Sequence, residues 1–183
     1  LFVPFEPRVP VAVYSGAGGS LSLSLQHKVE PVPILDGVRF ALQDPNVGGS
    51  HPVLNLVQMY FDAVDPLNTA SRQFAFPAEG ALRHHILQTY GMGDAYTPPD
   101  SIRSFAGAMF TTLAEPVLDP IGGLSSANAP IMGNWGGTTA VTAEYQPADY
   151  DGHFVIFRHA DAVRQLQQFL ASAIRTGTPV FVP

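Results

Sequence analysis

Asp94 and His153 stand where acid–base chemistry would need them. Asp94 follows the run His84 to Tyr90, which reads as a buried strand ending at Gly91. His153 closes the turn Pro147 to His153, after the alternating, β-branched run Thr138 to Tyr145 and before a helical stretch from Ala160 to Ile174. Functional residues of a parallel sheet gather at the carboxyl ends of its strands, and both residues lie beyond such ends. A carboxylate held against one imidazole nitrogen fixes the tautomer and supports the imidazolium that forms when the other nitrogen takes a proton. Each residue also has a plain reading as a turn residue, since Gly-Asp and Asp-Gly sequences favour turns. It is the pairing, in this order and at two strand ends, that makes Asp94 and His153 the candidate catalytic pair. Asp151 is a rival acid close to His153 but reads more simply as a solvated turn residue. Asp119, Asp149 and Asp161 read as solvent-facing.

Other chemistries are poorly supplied. There is no cysteine, hence no disulfide framework and no thiolate metal site. Of the six histidines, His84 and His85 are adjacent, and adjacent strand residues point to opposite faces. His27, His51 and His159 have no partner at ligand spacing. No metal and no cofactor is expected. Gly16-Ala17-Gly18-Gly19 fits neither phosphate-binding pattern and reads as a tight turn. The net charge is −6 and Lys28 is the single lysine, so no basic stripe offers itself to nucleic acid. No apolar run approaches the roughly 18 residues a membrane-spanning helix needs.

The 183 residues are 46% apolar and only 13% charged, with 17 Gly and 17 Pro. That balance argues against disorder and supports one domain with a real core. The elements that must carry the pair follow from patterning. Val11 to Tyr14 is a short apolar run bounded by Pro10 and Ser15-Gly16, the mark of a strand buried on both faces. Ser20 to Leu25 alternates strictly and predicts a strand, with a short helix as the alternative. Pro-punctuated helices are expected at Ile34–Leu42 and Pro52–Asp62. Pro98 and Pro99 suit a helix start with Thr97 as its N-cap. That helix is expected to run to Leu113 and to present Ile102, Phe105, Met109 and Phe110. Val117-Leu118 is a third strand candidate. Gly122 to Gly137 reads as a loop, and its Trp135 suits a pocket edge and a buried anchor equally. Val163, Leu166, Phe169, Leu170 and Ile174 mark the apolar stripe of the last helix. Phe2, Phe5, Met59, Tyr60 and Phe61 read better as core packing than as an acyl pocket. Strands alternating with helices point to an α/β layer fold with a mainly parallel sheet.

The loop Gly91-Met92-Gly93-Asp94-Ala95-Tyr96-Thr97-Pro98 resembles the acid loop of α/β-hydrolases, and Asp151-Gly152-His153-Phe154 resembles that family's Gly-His turn. Ser15–Gly19 is similar to the segment that ends the strand after the nucleophile helix in bacterial lipase- and esterase-like members. The order Asp then His matches the family's Ser…Asp/Glu…His. The resemblance implies that residues 1–183 are the C-terminal part of an α/β-hydrolase fold: a mostly parallel sheet with flanking helices. Residues 30–80 would be a cap or lid insertion, with ordinary helical packing as the alternative. It further implies a small-molecule or lipid ester substrate, with His153 as general base and then acid, and Asp94 orienting it.

The family's G-x-S-x-G elbow does not occur in this sequence. Ser20 follows Gly-Ala-Gly-Gly and precedes Leu21, so it is not an elbow serine. The nucleophile, the oxyanion-hole donors and the N-terminal half of the same fold are therefore expected upstream of Leu1. Leu1 to Arg8 would be the end of the intervening helix and its exit loop. A chain opening on Leu1 rather than Met is expected to be a processed or truncated form, inactive by itself. The separation of 59 residues between Asp94 and His153 exceeds the family's usual spacing, and the loop Gly122–Gly137 accounts for the excess. Two other readings remain open: an inactive hydrolase fold used for binding, and amide rather than ester cleavage. Few lysines, no cysteine and abundant Ser, Thr, Gly and Pro suit a secreted or envelope protein better than a cytoplasmic one.

Overall fold

In the computed structural model, which describes residues 2–183, five strands form one wholly parallel sheet in the order β1-β2-β5-β3-β4. The strands are β1 (Val11–Ser15), β2 (His85–Gly91), β3 (Thr112–Ala114), β4 (Ser126–Ala127) and β5 (Ala140–Tyr145). Leu1 lies outside the described residues, and Val3–Phe5 form a single 3-10 turn ahead of β1. The register pairs Val11 with His85 across β1 and β2, and Gly91 with Tyr145 across β2 and β5. Successive side chains alternate between faces, which splits the core in two. Leu87, Val141, Ala143 and Tyr145 pack with Val155, Ala162, Phe169 and Phe181 on one face. Ile86 and Ala140 pack with Phe74, Phe105 and Met109 on the other.

Helix α5 (Pro99–Met109) covers the second face with Ile102, Phe105, Ala106 and Met109, a stripe at spacings of three, one and three. It stops four residues before the expected Leu113. Phe110 takes a left-handed conformation (φ 65°), closes the helix through bonds to Ala106 and Gly107, and is half-exposed. One residue later the chain becomes β3, so the third strand is Thr112–Ala114 and not Val117-Leu118. Pro98, with no side-chain cap, takes the N-cap position expected of Thr97, whose N–H is used by Asp94 instead. The loop 122–137 contains β4 and a bridge between Trp135 and Thr138.

Two short segments behave differently from their patterns. Ser20 to Leu25 is not a strand. Helix α1 (Leu21–His27) forms there because the Asp65 carboxylate accepts the N–H groups of Ser20 and Leu21, each at 3.0 Å, and satisfies the helix start. Helices α2 (Ile34–Leu42), α3 (Pro52–Phe61) and the short α4 (Leu67–Ala70) complete the excursion between β1 and β2. Leu54, Ala70 and Phe74 of this excursion are buried, but the side chains expected to pack in the core are not: Tyr60 is 81% exposed, Met59 and Phe61 are exposed with it, as is Phe40 at 85%, and so are Phe2 and Phe5 ahead of β1. On the first face, α6 (Val155–Arg158) leads into α7 (Ala160–Thr176), which Gly177 ends in the left-handed conformation. The inward line of α7 is Ala162, Gln165, Phe169 and Ser172; Leu170 and Ile174 turn outward. Among the described residues no helix is long and apolar enough to cross a membrane.

Candidate active site

Three neighbouring strand ends meet at the pair. Beyond β2, Met92 donates its N–H to the Tyr145 carbonyl at 2.9 Å, which ties the acid loop to the end of β5. Gly91 and Gly152 touch backbone to backbone: a Cβ on Gly91 would lie 2.0 Å from the Gly152 carbonyl oxygen. The chain then turns at Gly93 (φ 71°) and delivers Asp94 inward.

Asp94 is 2% exposed. Its Oδ1 accepts N–H bonds from Tyr96 at 2.9 Å and Thr97 at 2.7 Å. Its Oδ2 lies 3.1 Å from Nδ1 of His153. Burial pushes the Asp94 carboxyl above its ordinary range, and the Thr97 N–H and the His153 ring oppose that rise in part. The bonds to both oxygens hold the carboxylate in one orientation, with one oxygen committed to the backbone and the other to the imidazole.

His153 sits in a 3-10 turn, Gly152–Phe154, N-capped by Asp151. Its side chain is 31% exposed. Tyr96 lies over the ring at 5.0 Å between centroids, tilted by 33°, and Phe154 meets it edge-on at 5.4 Å. With Nδ1 directed to Asp94, the ring's Nε2 makes no hydrogen bond to any described residue. The arrangement presents one basic nitrogen and supports the charge that proton uptake would create.

The exit turn of β1 touches the same pair. Gly16 holds φ 53°, and a Cβ there would lie 2.6 Å from His153 Nδ1 and 3.1 Å from Asp94 Oδ2. That glycine is required twice, by conformation and by space. The rest of the turn is held from outside: Gly19 exchanges bonds with Ser101 of α5, N–H to O at 3.0 Å and Oγ to O at 2.6 Å.

The structure brings Asp94 and His153 to 3.1 Å of each other, and several neighbours differ from their sequence readings. Asp151 is half-buried rather than solvated, and it accepts from His153 N–H at 2.8 Å and Ala95 N–H at 3.2 Å. Asp119 is half-buried and accepts the Tyr90 hydroxyl at 2.7 Å, so it does not simply face solvent. Trp135 packs edge-on against Phe74 at the amino end of β5, away from the pair, and is an anchor. His84 donates Nδ1–H to the Val9 carbonyl and His85 Nδ1 accepts the Thr139 N–H, so both hold backbone. Among the described residues no group of three His, Cys, Asp or Glu is placed to hold a metal ion.

Sequence reasoning missed that Gly16 touches the pair, and it weighed Asp151 only as a rival acid or a solvated turn residue, not as an acceptor of backbone N–H groups from both loops. The Gly-rich turn signalled a tight bend but not what it would touch. Of the serines nearest that turn, Ser20 contacts Ser22 at 3.2 Å and Ser24 contacts Ser101 at 3.1 Å, while the Ser15 Oγ is buried without a hydrogen-bond partner. No described hydroxyl is hydrogen-bonded to the His153 ring. No protein-family model matches this chain, and no curated protein or solved structure matches it either.

Proposed function

We propose that Asp94 and His153 are the acid and base of a serine-hydrolase triad, and that the chain is the C-terminal part of an α/β-hydrolase that cleaves carboxylic esters. One observation carries this reading: the His153 Nδ1–Asp94 Oδ2 contact of 3.1 Å at the carboxyl ends of neighbouring parallel strands, with Nε2 left for a nucleophile. The acid-loop and Gly-His resemblances support it. In this scheme His153 takes the proton of a serine hydroxyl as the serine attacks the ester carbonyl. It returns that proton to the leaving alcohol, then activates water against the acyl-enzyme. Asp94 holds the tautomer and supports the imidazolium. The serine and oxyanion donors would come from a segment N-terminal to Leu1.

The test is to read the coding sequence upstream of Leu1, express the longer polypeptide, and treat it with a fluorophosphonate and with p-nitrophenyl butyrate. Labelling of one upstream serine, with turnover lost by about 10³-fold or more in His153→Ala, is the expected result. Near-normal turnover in that variant would overturn the assignment. A second reading, a hydrolase fold used only for binding, is favoured by the lack of any described hydroxyl on the His153 ring. It predicts no labelling at all.

A further inference from the structure

The acid loop itself supplies an aromatic cover for His153. Tyr96 stands two residues beyond Asp94 and contacts both members of the pair. Its N–H donates to Asp94 Oδ1 at 2.9 Å, and its ring centroid lies 5.0 Å from that of His153.

The backbone that carries this ring is fixed on both sides. Ala95 donates its N–H to Asp151, and its carbonyl accepts the N–H groups of Val29 at 3.1 Å and Glu30 at 3.0 Å. Thr97 donates to Asp94 at 2.7 Å. Phe154 meets Tyr96 at 5.5 Å and 74°, and His153 at 5.4 Å and 88°. Tyr96, His153 and Phe154 thus hold one another, and the Tyr96 ring cannot swing away without giving up both contacts.

Orientation decides what the cover does. An aromatic ring is negative on its face and positive at its edge. At 33° to the imidazole, Tyr96 is closer to parallel than to perpendicular, so it offers its face. That face attracts a cation within about 6 Å of its centre. Packing area is the same for both protonation states, whereas this attraction acts only on the charged ring. The charged and titratable groups at the imidazole are Asp94 on Nδ1, Tyr96 on the ring face and, in its own turn, Asp151, whose oxygens accept backbone N–H groups. The exit turn of β1, Ser15 to Gly19, brings no ionisable side chain. Asp94 works along the ring plane and Tyr96 across it, and both favour the imidazolium.

We propose that Tyr96 is a positioning residue for the pair: its ring face stabilises the protonated His153 imidazole, while its N–H holds Asp94. The proposal concerns the pair alone, and only its effect on turnover rests on the hydrolase reading.

The test is an NMR titration of His153 in the 183-residue chain, following its Cε1 proton in the wild type, Tyr96→Phe and Tyr96→Leu. Tyr96→Leu keeps the backbone bonds but loses the face. Its curve should be displaced to lower pH by about half a unit, with the hydrogen-bonded Nδ1 proton still downfield. Tyr96→Phe keeps the face and should follow the wild-type curve. Should Tyr96→Leu not fold, Tyr96→Met takes its place, with the same expected displacement. Four outcomes would each overturn the proposal: a wild-type curve in a folded Leu or Met variant, a displacement to higher pH, a Phe variant displaced as far as the Leu variant, or loss of the downfield proton in a folded Leu or Met variant, the sign of packing support alone. In an active longer polypeptide, Tyr96→Leu should lower kcat by about 2- to 5-fold and leave KM little changed. A longer polypeptide without activity would end the hydrolase reading, and the titration would still decide the role of Tyr96.

Discussion

Asp151 accepts the backbone N–H of His153 on Oδ1 at 2.8 Å, while its Oδ2 accepts that of Ala95 at 3.2 Å. One carboxylate thus joins the base turn to the residue that follows the acid. Asp151 does not touch the imidazole ring, so it acts on the pair by position. Misplacing a catalytic group by an ångström costs about 10²-fold. On the proposed hydrolase reading, Asp151→Ala in an active longer polypeptide should lower kcat by about 10- to 100-fold, with Asp151→Asn, which keeps an acceptor for His153 N–H, recovering most of it. An NMR titration of His153 in the 183-residue chain reads the same effect without chemistry: the Ala variant should alter the curve and the Asn variant restore it. Unchanged curves in both variants would remove Asp151 from the site.

Gly16→Ala should displace the His153 ring. A methyl group 2.6 Å from Nδ1, on a backbone at φ 53°, cannot be accommodated without movement. The expected loss of stability is about 1–3 kcal/mol, read from the urea midpoint. The hydrogen-bonded Nδ1 proton of His153 should leave its downfield NMR position in the folded variant.

Two buried carboxyls set a pH dependence. Burial raises both Asp94 and Glu144 above their ordinary values, in each case against backbone N–H bonds that pull the other way. A raised carboxyl favours the folded state while it is protonated. Its contribution is complete below the unfolded value near 4 and is lost as pH rises through the folded value. Asp94→Asn and Glu144→Gln should therefore flatten the fall in stability from pH 4 to pH 8. Urea melts of the wild-type and both variant chains at three pH values check this, and parallel curves would refute it.

Asp65 should show the opposite sign. Burial alone would raise it, but bonds from Gln58, Leu67, Ser20 and Leu21 outweigh that and hold it below its ordinary value. Its contribution is present above the unfolded value and is lost as pH falls through the folded one. Asp65→Ala removes the cap of α1 together with the Leu67 bond and should cost about 2–3 kcal/mol at pH 7. Heat denaturation followed by circular dichroism at pH 7 measures the loss, which should shrink at pH 3.

The legible parts of this fold were those whose cause is local. Val11 to Tyr14, an apolar run, and His84 to Tyr90, which ends at Gly91, both read as strands and are strands, although Val11 to Tyr14 lies at the sheet edge with only Ala12 buried and is not covered on both faces as expected. Asp94 and His153 could be paired because each follows such a strand within a few residues. What escaped has long-range causes. The Ser-Leu repeat from 20 to 25 looks like a strand until Asp65, 44 residues beyond Leu21, caps it as a helix. Asp151 reads as a turn residue until Ala95 is brought to it by strand pairing. Phe40 and Tyr60 have core composition but lie on helices whose outer faces meet no other element of the described chain.

The contact between Gly91 and Gly152 has a further meaning. No side chain separates the acid loop from the base turn, so their spacing is inherited from the pairing of Gly91 with Tyr145. A slip of one residue between those strands would carry His153 about 3.3 Å along the sheet, more than a hydrogen bond tolerates. Alignment of the pair is therefore a matter of strand register. It should withstand generous repacking of the two cores and fail abruptly when register shifts.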